Sequence, residues 1–494
     1  MIFKMSIRCV FLGLFLLFNA SGWVARAAPL PPEVLAVLAR AHIEPRSLAV
    51  WVAPVGSGVS GGADVPRLAH NADQAFNPAS LMKLVTSAVA LDVLGPTYVW
   101  PTPIYLDGEL RDGVLHGNLV VQGSGDPSLV VERVQRLLRA IQQRGVREIR
   151  GDIVLDRQAF QIPAVDPGAF DAEPSRPYNV RPDALMLNYK SLTLNFVPEP
   201  ALKKIRLWSE PILAGVTLPT QVALSEGQAP CGDWRSLLQP DWRDRTRPVF
   251  KGKMAWVCGE KSWPVAYADP TSYNARLLEA AWRELGGKLS GKVRDGAVPA
   301  NRNPWWTWSS PPLAEVLRDM NKYSNNVIAH QIFLSLSLAQ QGVGTWEASR
   351  ALVSEHLRSQ AGCALEGLRI EVGSGLSRDE RLSAHCLAQV LQWTWTRPWM
   401  PELLASLPLA GETTVRRLTS LAGRAHLKTG SLDNVAGLAG YVEGTQPGQR
   451  WVVVVVLNDP KAQSETARAV LEALLGVVLR WPPDDSMAPA ASAP

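Results

Sequence analysis

Seven consecutive apolar residues, Trp451–Leu457 in the stretch RWVVVVVLND, constrain the fold more than any other segment. Successive side chains of a strand point to opposite faces, so a strand without a polar position must be covered on both. This one is therefore expected at the centre of a sheet. AHLKTGSLDNVAGLAGYVEG reads as its neighbouring strand, joined to it through the turn TQPGQ. The helix SETARAVLEALLGVVLR follows, then a Pro/Ala/Ser-rich tail, 481–494, expected to be disordered.

Upstream, PPEVLAVLARAHI reads as a short helix and SLAVWVAPV as a strand. LMKLVTSAVALDVLG reads as a helix with apolar residues at three- and four-residue steps. Between about Val99 and Ala266 the texture changes to short strand-like runs (GNLVVQG, GDIVLD, LTLNFV, KIRLW) broken by Pro, Gly and Asp. Helical patterns return with TSYNARLLEAAWRELGG. These shifts predict an α/β (α+β) domain split into 28–98 and 267–480, interrupted by a β-rich insertion, 99–266, of one or two subdomains.

The N-terminus reads as an export signal over residues 1–27. Lys4 and Arg8 precede the short apolar run CVFLGLFLLF, and Ala25-Arg26-Ala27 is an A-x-A cleavage site. The 494-residue chain carries a formal charge of +5; loss of Lys4, Arg8 and Arg26 leaves 47 basic against 45 acidic side chains, which argues against a nucleic-acid footprint, since that needs clustered positive charge. Four cysteines remain, Cys231, Cys258, Cys363 and Cys386, an even number in an exported chain and hence a disulfide signal. Local pairing, Cys231–Cys258 with Cys363–Cys386, is the simplest of three connectivities. No CxxC or HxxxH pattern supports a metal site. An export signal with disulfides and no anchor fits the periplasm.

Chemistry enters at FNPASLMKLV. Asn77 is a good cap, Pro78 fits a first helical position, and a three-residue step puts Ser80 and Lys83 side by side. Ser80 lies in the first turn, where N–H groups lack intrahelical partners and its own can face an oxyanion. A serine hydroxyl needs a nearby base, and a lysine serves only when burial or a neighbouring cation keeps its amine neutral. Ser324-Asn325-Asn326 enters a helix: a second hydroxyl to relay a proton to a leaving amine, and Asn326 to hold a substrate carbonyl or amide. Lys428-Thr429-Gly430 lies on a strand: Lys428 and Thr429 to bind a carboxylate, Gly430 to let an extended peptide lie close, and the Ser431 N–H as a second oxyanion donor. Lys428 is also the cation that can depress Lys83.

These three motifs in this order resemble those of penicillin-binding proteins and serine β-lactamases. More closely, the chain resembles class C low-molecular-mass penicillin-binding proteins, D-alanyl-D-alanine carboxypeptidase/endopeptidases of the penicillin-binding protein 4 type. GSGDPSL (Gly123–Leu129), REIRGDIVLD, RDMNKYSNN and GSGLSR (Gly373–Arg378) carry the likeness, as do the 240 residues between Lys83 and Ser324. The resemblance implies a DD-peptidase-like fold, peptidoglycan stem peptides as substrates, an acyl-enzyme on Ser80, acylation by β-lactams and no cofactor. It implies that Lys83 takes the proton of Ser80, Ser324 passes one to the leaving D-Ala, Asn326 orients the substrate, and Lys428 and Thr429 hold its carboxylate. A β-lactamase-type hydrolase and a non-catalytic cell-wall peptide binder are the rival readings; the long insertion weighs against the first, and Lys83 beside Ser80 against the second. The balance of carboxypeptidase and endopeptidase action and the oligomeric state stay open.

Other matches read as structural. Gly58-Val59-Ser60-Gly61-Gly62 has the G-x-S-x-G form but no helix directly after it, so it reads as a hairpin loop. Ser272-Tyr273-Asn274 reads as a helix cap, GSGDPSL as a turn, and most of the 18 tryptophans as packing. His426, two residues before Lys428, can line the cleft or be structural.

Overall fold

The structure is a computed structural model that describes residues 29–56, 66–225 and 231–481. The expected export signal, the G-x-S-x-G match and residues 482–494 of the tail lie outside the described residues. Among the described residues, one five-stranded antiparallel sheet contains β1 (Leu48–Pro54), β2 (Leu68–His70), β3 (Ala425–Leu432), β4 (Val435–Glu443) and β5 (Arg450–Asn458), in the order β3-β4-β5-β1-β2. The valine-rich strand is its centre, β5. Its alternation divides two cores. Val452, Val454 and Val456 join one with the helices α2 (Met82–Val93), α3 (Asn326–Gln341) and α4 (Ala384–Trp395). Trp451, Val453, Val455 and Leu457 join the other, under α1 (Pro32–Ala41) and α5 (Glu465–Arg480). This α+β sandwich is the expected fold class.

Two sequence expectations change. The single strand expected before TQPGQ is a hairpin, β3 and β4, turning at Asp433-Asn434 with Asn434 left-handed at φ 64°. Asn tolerates that region, which makes Asp-Asn a tight-turn signal inside an otherwise apolar run. The return to the first body at 267 also comes too early. Helix Tyr273–Glu284 packs into the core of the inserted region with Leu194, Phe196 and Ile205. Strand Trp306–Ser309 then pairs antiparallel with Pro101–Ile104, so the chain leaves and re-enters the first body side by side. An amphipathic pattern shows that a helix has an apolar face, not which sheet will cover it.

The inserted region holds onto α3 through Gln331. Its fully buried amide accepts from the Asp183 N–H and donates to the carbonyls of Asp183 and Gly125. Gly125 belongs to GSGDPSL, a turn closed by Asp126 Oδ1 on the Ser128 N–H at 2.7 Å. Cysteine pairing is local: Cys231–Cys258 and Cys363–Cys386. Ser272 heads its helix, but its hydroxyl bonds Asp269 and Arg276 instead of capping an N–H. Among the described residues no helix is long and apolar enough to cross a membrane.

Candidate active site

Ser80 sits on a short 3-10 turn, Ala79–Leu81, that runs straight into α2. Asn77 shapes this turn. Its Oδ1 accepts the Ala79 N–H at 2.9 Å and its Nδ2 donates to the carbonyls of Ser377 and Arg378. Its backbone exchanges hydrogen bonds with the Asn458 side chain at the end of β5. The turn is thus tied to the central strand and to the loop Gly373–Arg378. Ala79 is left-handed at φ 46°, a strained conformation for alanine that these ties maintain.

Two glycines let the turn fit. A Cβ on Gly375 would lie 1.8 Å from the Ala79 carbonyl oxygen, and Gly375 is itself at φ +83°. A Cβ on Gly430 would lie 2.7 Å from the Pro78 carbonyl oxygen. Gly430 is expected to let a peptide lie close; the direction of its missing Cβ shows that it also makes room for the Ser80 turn.

Lys83 is fully buried. Its Nζ lies 3.0 Å from Ser80 Oγ and donates to Asn326 Oδ1 and to the Ser374 carbonyl, each at 2.6 Å. Burial pushes its pKa well below the ordinary lysine range, Lys428 pushes it further down, and Glu380 opposes them. A neutral amine has two hydrogens and a lone pair. With both hydrogens committed to carbonyl oxygens, the lone pair is left for the Ser80 hydroxyl.

Ser324 and Lys428 complete the constellation. Lys428 Nζ, fully buried, donates to Ser324 Oγ at 2.9 Å and to the Thr429 carbonyl at 2.8 Å; burial lowers its pKa to about 7. Ser324 is held left-handed at φ 54°. Asn325 caps α3, its Oδ1 accepting the Ile328 N–H at 3.1 Å. The middle residue of the S-N-N triad is therefore a helix cap, a task Asp or Asn performs equally. Asn326 spends its Oδ1 on Lys83 and keeps its Nδ2 for other acceptors. Ser80, Lys83, Ser324, Asn326 and Lys428 are thus joined by hydrogen bonds in two linked groups, Ser80–Lys83–Asn326 and Ser324–Lys428, with Lys428 close enough to lower Lys83.

Strand β3 is the edge of its sheet. The Leu427 N–H points outward, donating to the Pro408 carbonyl at 2.9 Å. Backbone groups repeat their direction every second residue, so the N–H groups of Thr429 and Ser431 face the same, open edge. That is where a peptide can add as a further strand and where Ser431 can supply an oxyanion donor. The Ser431 hydroxyl itself is turned to Gln463 at 3.1 Å. His426 is half-buried, with Nδ1 lacking a hydrogen-bond partner among the described residues and burial lowering its pKa.

Sequence reasoning missed Ser374 and Glu380. Glu380 is a fully buried carboxyl that accepts the Val372 and Glu371 N–H groups at 3.1 and 3.3 Å. It thereby holds the bend leading to Ser374, whose carbonyl holds Lys83. Ser374 Oγ lies 2.7 Å from Nε2 of the buried His330, which burial keeps neutral with a pKa of about 3. GSGLSR carried a family likeness but no chemical signal, because its contribution is a backbone carbonyl and a missing Cβ.

Residues 37–476 match the model of the D-Ala-D-Ala carboxypeptidase 3 (S13) family. The chain is 28% identical over 462 residues to a D-alanyl-D-alanine carboxypeptidase of Actinomadura sp. (strain R39), covering 87% of this chain and 81% of that protein. It is 25% identical over 426 residues to D-alanyl-D-alanine carboxypeptidase DacB of Haemophilus influenzae, covering 81% and 85%. The crystal structure of penicillin binding protein 4 (dacB) from Haemophilus influenzae shares the fold, with a TM-score of 0.71 at 22% identity over 91% of this chain and 99% of that one. With a family model spanning nearly the whole described chain, this protein belongs to the D-Ala-D-Ala carboxypeptidase 3 (S13) family.

Proposed function

We propose that the protein is a periplasmic serine peptidase that removes or releases D-Ala from peptidoglycan stem peptides through an ester on Ser80. The carrying observation is the fully buried Lys83, its pKa held well below the ordinary lysine range by burial and Lys428, with its Nζ 2.6 Å from both Asn326 Oδ1 and the Ser374 carbonyl and 3.0 Å from Ser80 Oγ. A peptide lies along the open edge of β3, its terminal carboxylate near Lys428 and Thr429 and its carbonyl near Asn326 Nδ2. Lys83 takes the hydroxyl proton as Ser80 Oγ attacks the penultimate D-Ala carbonyl. The N–H groups of Ser80 and Ser431 receive the oxyanion, a donor of this kind being worth about 10²–10³ in rate. Ser324, oriented by Lys428, passes a proton to the departing amine. Water then hydrolyses the ester, giving a new carboxylate and the free hydroxyl.

A β-lactam presents the same carbonyl and carboxylate and acylates Ser80 in the same way. Incubation with labelled penicillin tests the reading. Expected is a long-lived covalent label on the native protein and none on Ser80→Ala. Rapid turnover of the label would favour a β-lactamase, and absence of label a peptide-binding protein.

A further inference from the structure

Both acceptors that hold the Lys83 amine trace back to one face of α3. Asn326, the first residue of that helix, takes one hydrogen directly, its Oδ1 2.6 Å from Nζ. His330 stands four residues on, and residues four apart share a helix face. Its ring is buried and lies edge-on to Trp346 of the helix Trp346–Ser359, with ring centroids 5.6 Å apart. Nε2 is 2.7 Å from Ser374 Oγ, and Nδ1 has no hydrogen-bond partner among the described residues. No step of the acyl transfer uses this ring.

Ser374 connects His330 to the base. Its carbonyl takes the second Lys83 hydrogen at 2.6 Å, while its hydroxyl oxygen accepts the Leu376 N–H at 3.1 Å and closes a turn. The peptide plane that carries the carbonyl lies between the two residues this bond joins. Where the hydroxyl is held therefore fixes where the carbonyl points. Other side chains fix the chain just before Ser374. Thr86 Oγ1 donates to the Gly373 carbonyl at 2.6 Å, and Glu380 accepts the Glu371 and Val372 N–H groups. Among the described residues, His330 is the one side chain that bonds the Ser374 hydroxyl.

We propose that His330 is a positioning residue for the general base. It grips the Ser374 hydroxyl, aims the Ser374 carbonyl at Lys83 Nζ and so, together with Asn326, keeps the amine lone pair turned to Ser80 Oγ. It acts through Ser374 and carries no proton of the reaction. The assignment rests on reading Ser80 and Lys83 as nucleophile and base. Lys428 and Glu380 are the charged groups that act on Lys83. Arg181, its guanidinium 5.8 Å from the Trp346 ring centroid, and Lys83 itself act on His330. Burial first, then these two cations, keep the ring neutral, so its bond to Ser374 joins neutral groups and does not switch with pH.

Two consequences follow when the His330 bond is lost. The amine is no longer held by two fixed acceptors, so an N–H can take the place of the lone pair before Ser80 and the rate falls. A carbonyl acceptor also favours the charged amine over the neutral one, so its withdrawal lowers the pKa of Lys83 further. The acid limb of acylation then moves to lower pH. A ring that served packing alone would slow the reaction, on removal, without moving that limb.

The test follows acylation by labelled penicillin against pH in native protein, His330→Phe, His330→Gln, Ser374→Ala and the double variant His330→Phe/Ser374→Ala. His330→Phe keeps a ring and drops the bond; its plateau rate should fall about tenfold or more, with the acid limb displaced to lower pH. His330→Gln places an amide near the Nε2 position and should recover most of the rate and the native limb. Ser374→Ala should repeat the losses of His330→Phe, and the double variant should lose little more than either, because both changes break one bond. A His330→Phe plateau within about twofold of native, an unmoved limb, a His330→Gln protein as slow as His330→Phe, or additive losses would overturn the assignment. If His330→Phe does not fold, Ser374→Ala decides: a native plateau and limb there would equally overturn it. Native protein that takes no label would instead sink the reading of Ser80 and Lys83, whereas normal labelling that depends on Ser80, with native behaviour in every His330 and Ser374 variant, would sink this assignment alone.

Discussion

Glu380→Gln separates the electrostatic role of a buried carboxyl from its role as a hydrogen-bond acceptor. Burial raises the Glu380 carboxyl from its ordinary 4.5 to about 7, against the opposing pull of backbone N–H groups and Lys83. A raised carboxyl pKa means that the native state binds this proton more tightly than the unfolded chain. The stability it confers is full below about pH 4.5 and is lost as pH rises through about 7. At about 1.4 kcal/mol per pH unit, that interval is worth about 3 kcal/mol. The amide cannot ionise, so the variant lacks this fall. It also leaves a buried polar atom unpartnered at every pH, since Glu380 Oε2 has no hydrogen-bond partner among the described residues. The diagnostic is therefore the difference in slope, not the stability at one pH. Thermal unfolding at half-unit steps from pH 4.5 to 8.5 should show the parent losing stability relative to Glu380→Gln across this window.

The same substitution acts on the base. Glu380 raises the pKa of Lys83, whereas burial and Lys428 lower it; His330 beside Ser374 is neutral throughout. Removing the carboxylate keeps the amine neutral to lower pH. The acid limb of the penicillin acylation rate should move to lower pH in the variant. Parallel unfolding profiles for parent and variant, together with an unmoved or upward-shifted acid limb, would refute the argument.

Gly375→Ala should slow acylation by labelled penicillin at least about a hundredfold, because the new Cβ meets the Ala79 carbonyl and displaces the Ser80 turn by a sizeable fraction of an ångström; a rate within twofold of native would show that the turn has slack. Replacing both Cys363 and Cys386 with Ser should cost about 3 kcal/mol, from a bridge closing a span of 23 residues, and lower the thermal midpoint while leaving the acylation rate of the folded protein near native.

The part of the site legible in the sequence is the part made of side chains with local consequences. A three-residue step on a helix start puts Ser80 beside Lys83 whatever the remainder of the chain does, and a serine entering a helix or a lysine on a strand can be read the same way. The central strand was legible because seven apolar residues leave one place in a sheet. The hairpin turn at Asp433-Asn434 was written in the sequence and was absorbed into one long strand, because turn residues are weak signals inside apolar surroundings.

The sequence alone determined the candidate reactive groups and the central position of β5, since both follow from covalent order and short-range periodicity. Only the tertiary structure decided what surrounds them: that Lys83 gives its hydrogens to Asn326 and the Ser374 carbonyl, that Glu380 lies buried behind it, that Asn458 grips the Ser80 turn, and that Gly375 and Gly430 make room for that turn. The physical reason is that burial, backbone carbonyls and missing Cβ atoms act across hundreds of residues. They take no direction until the chain has folded, and they set whether a lysine next to a serine is a solvated cation or a base.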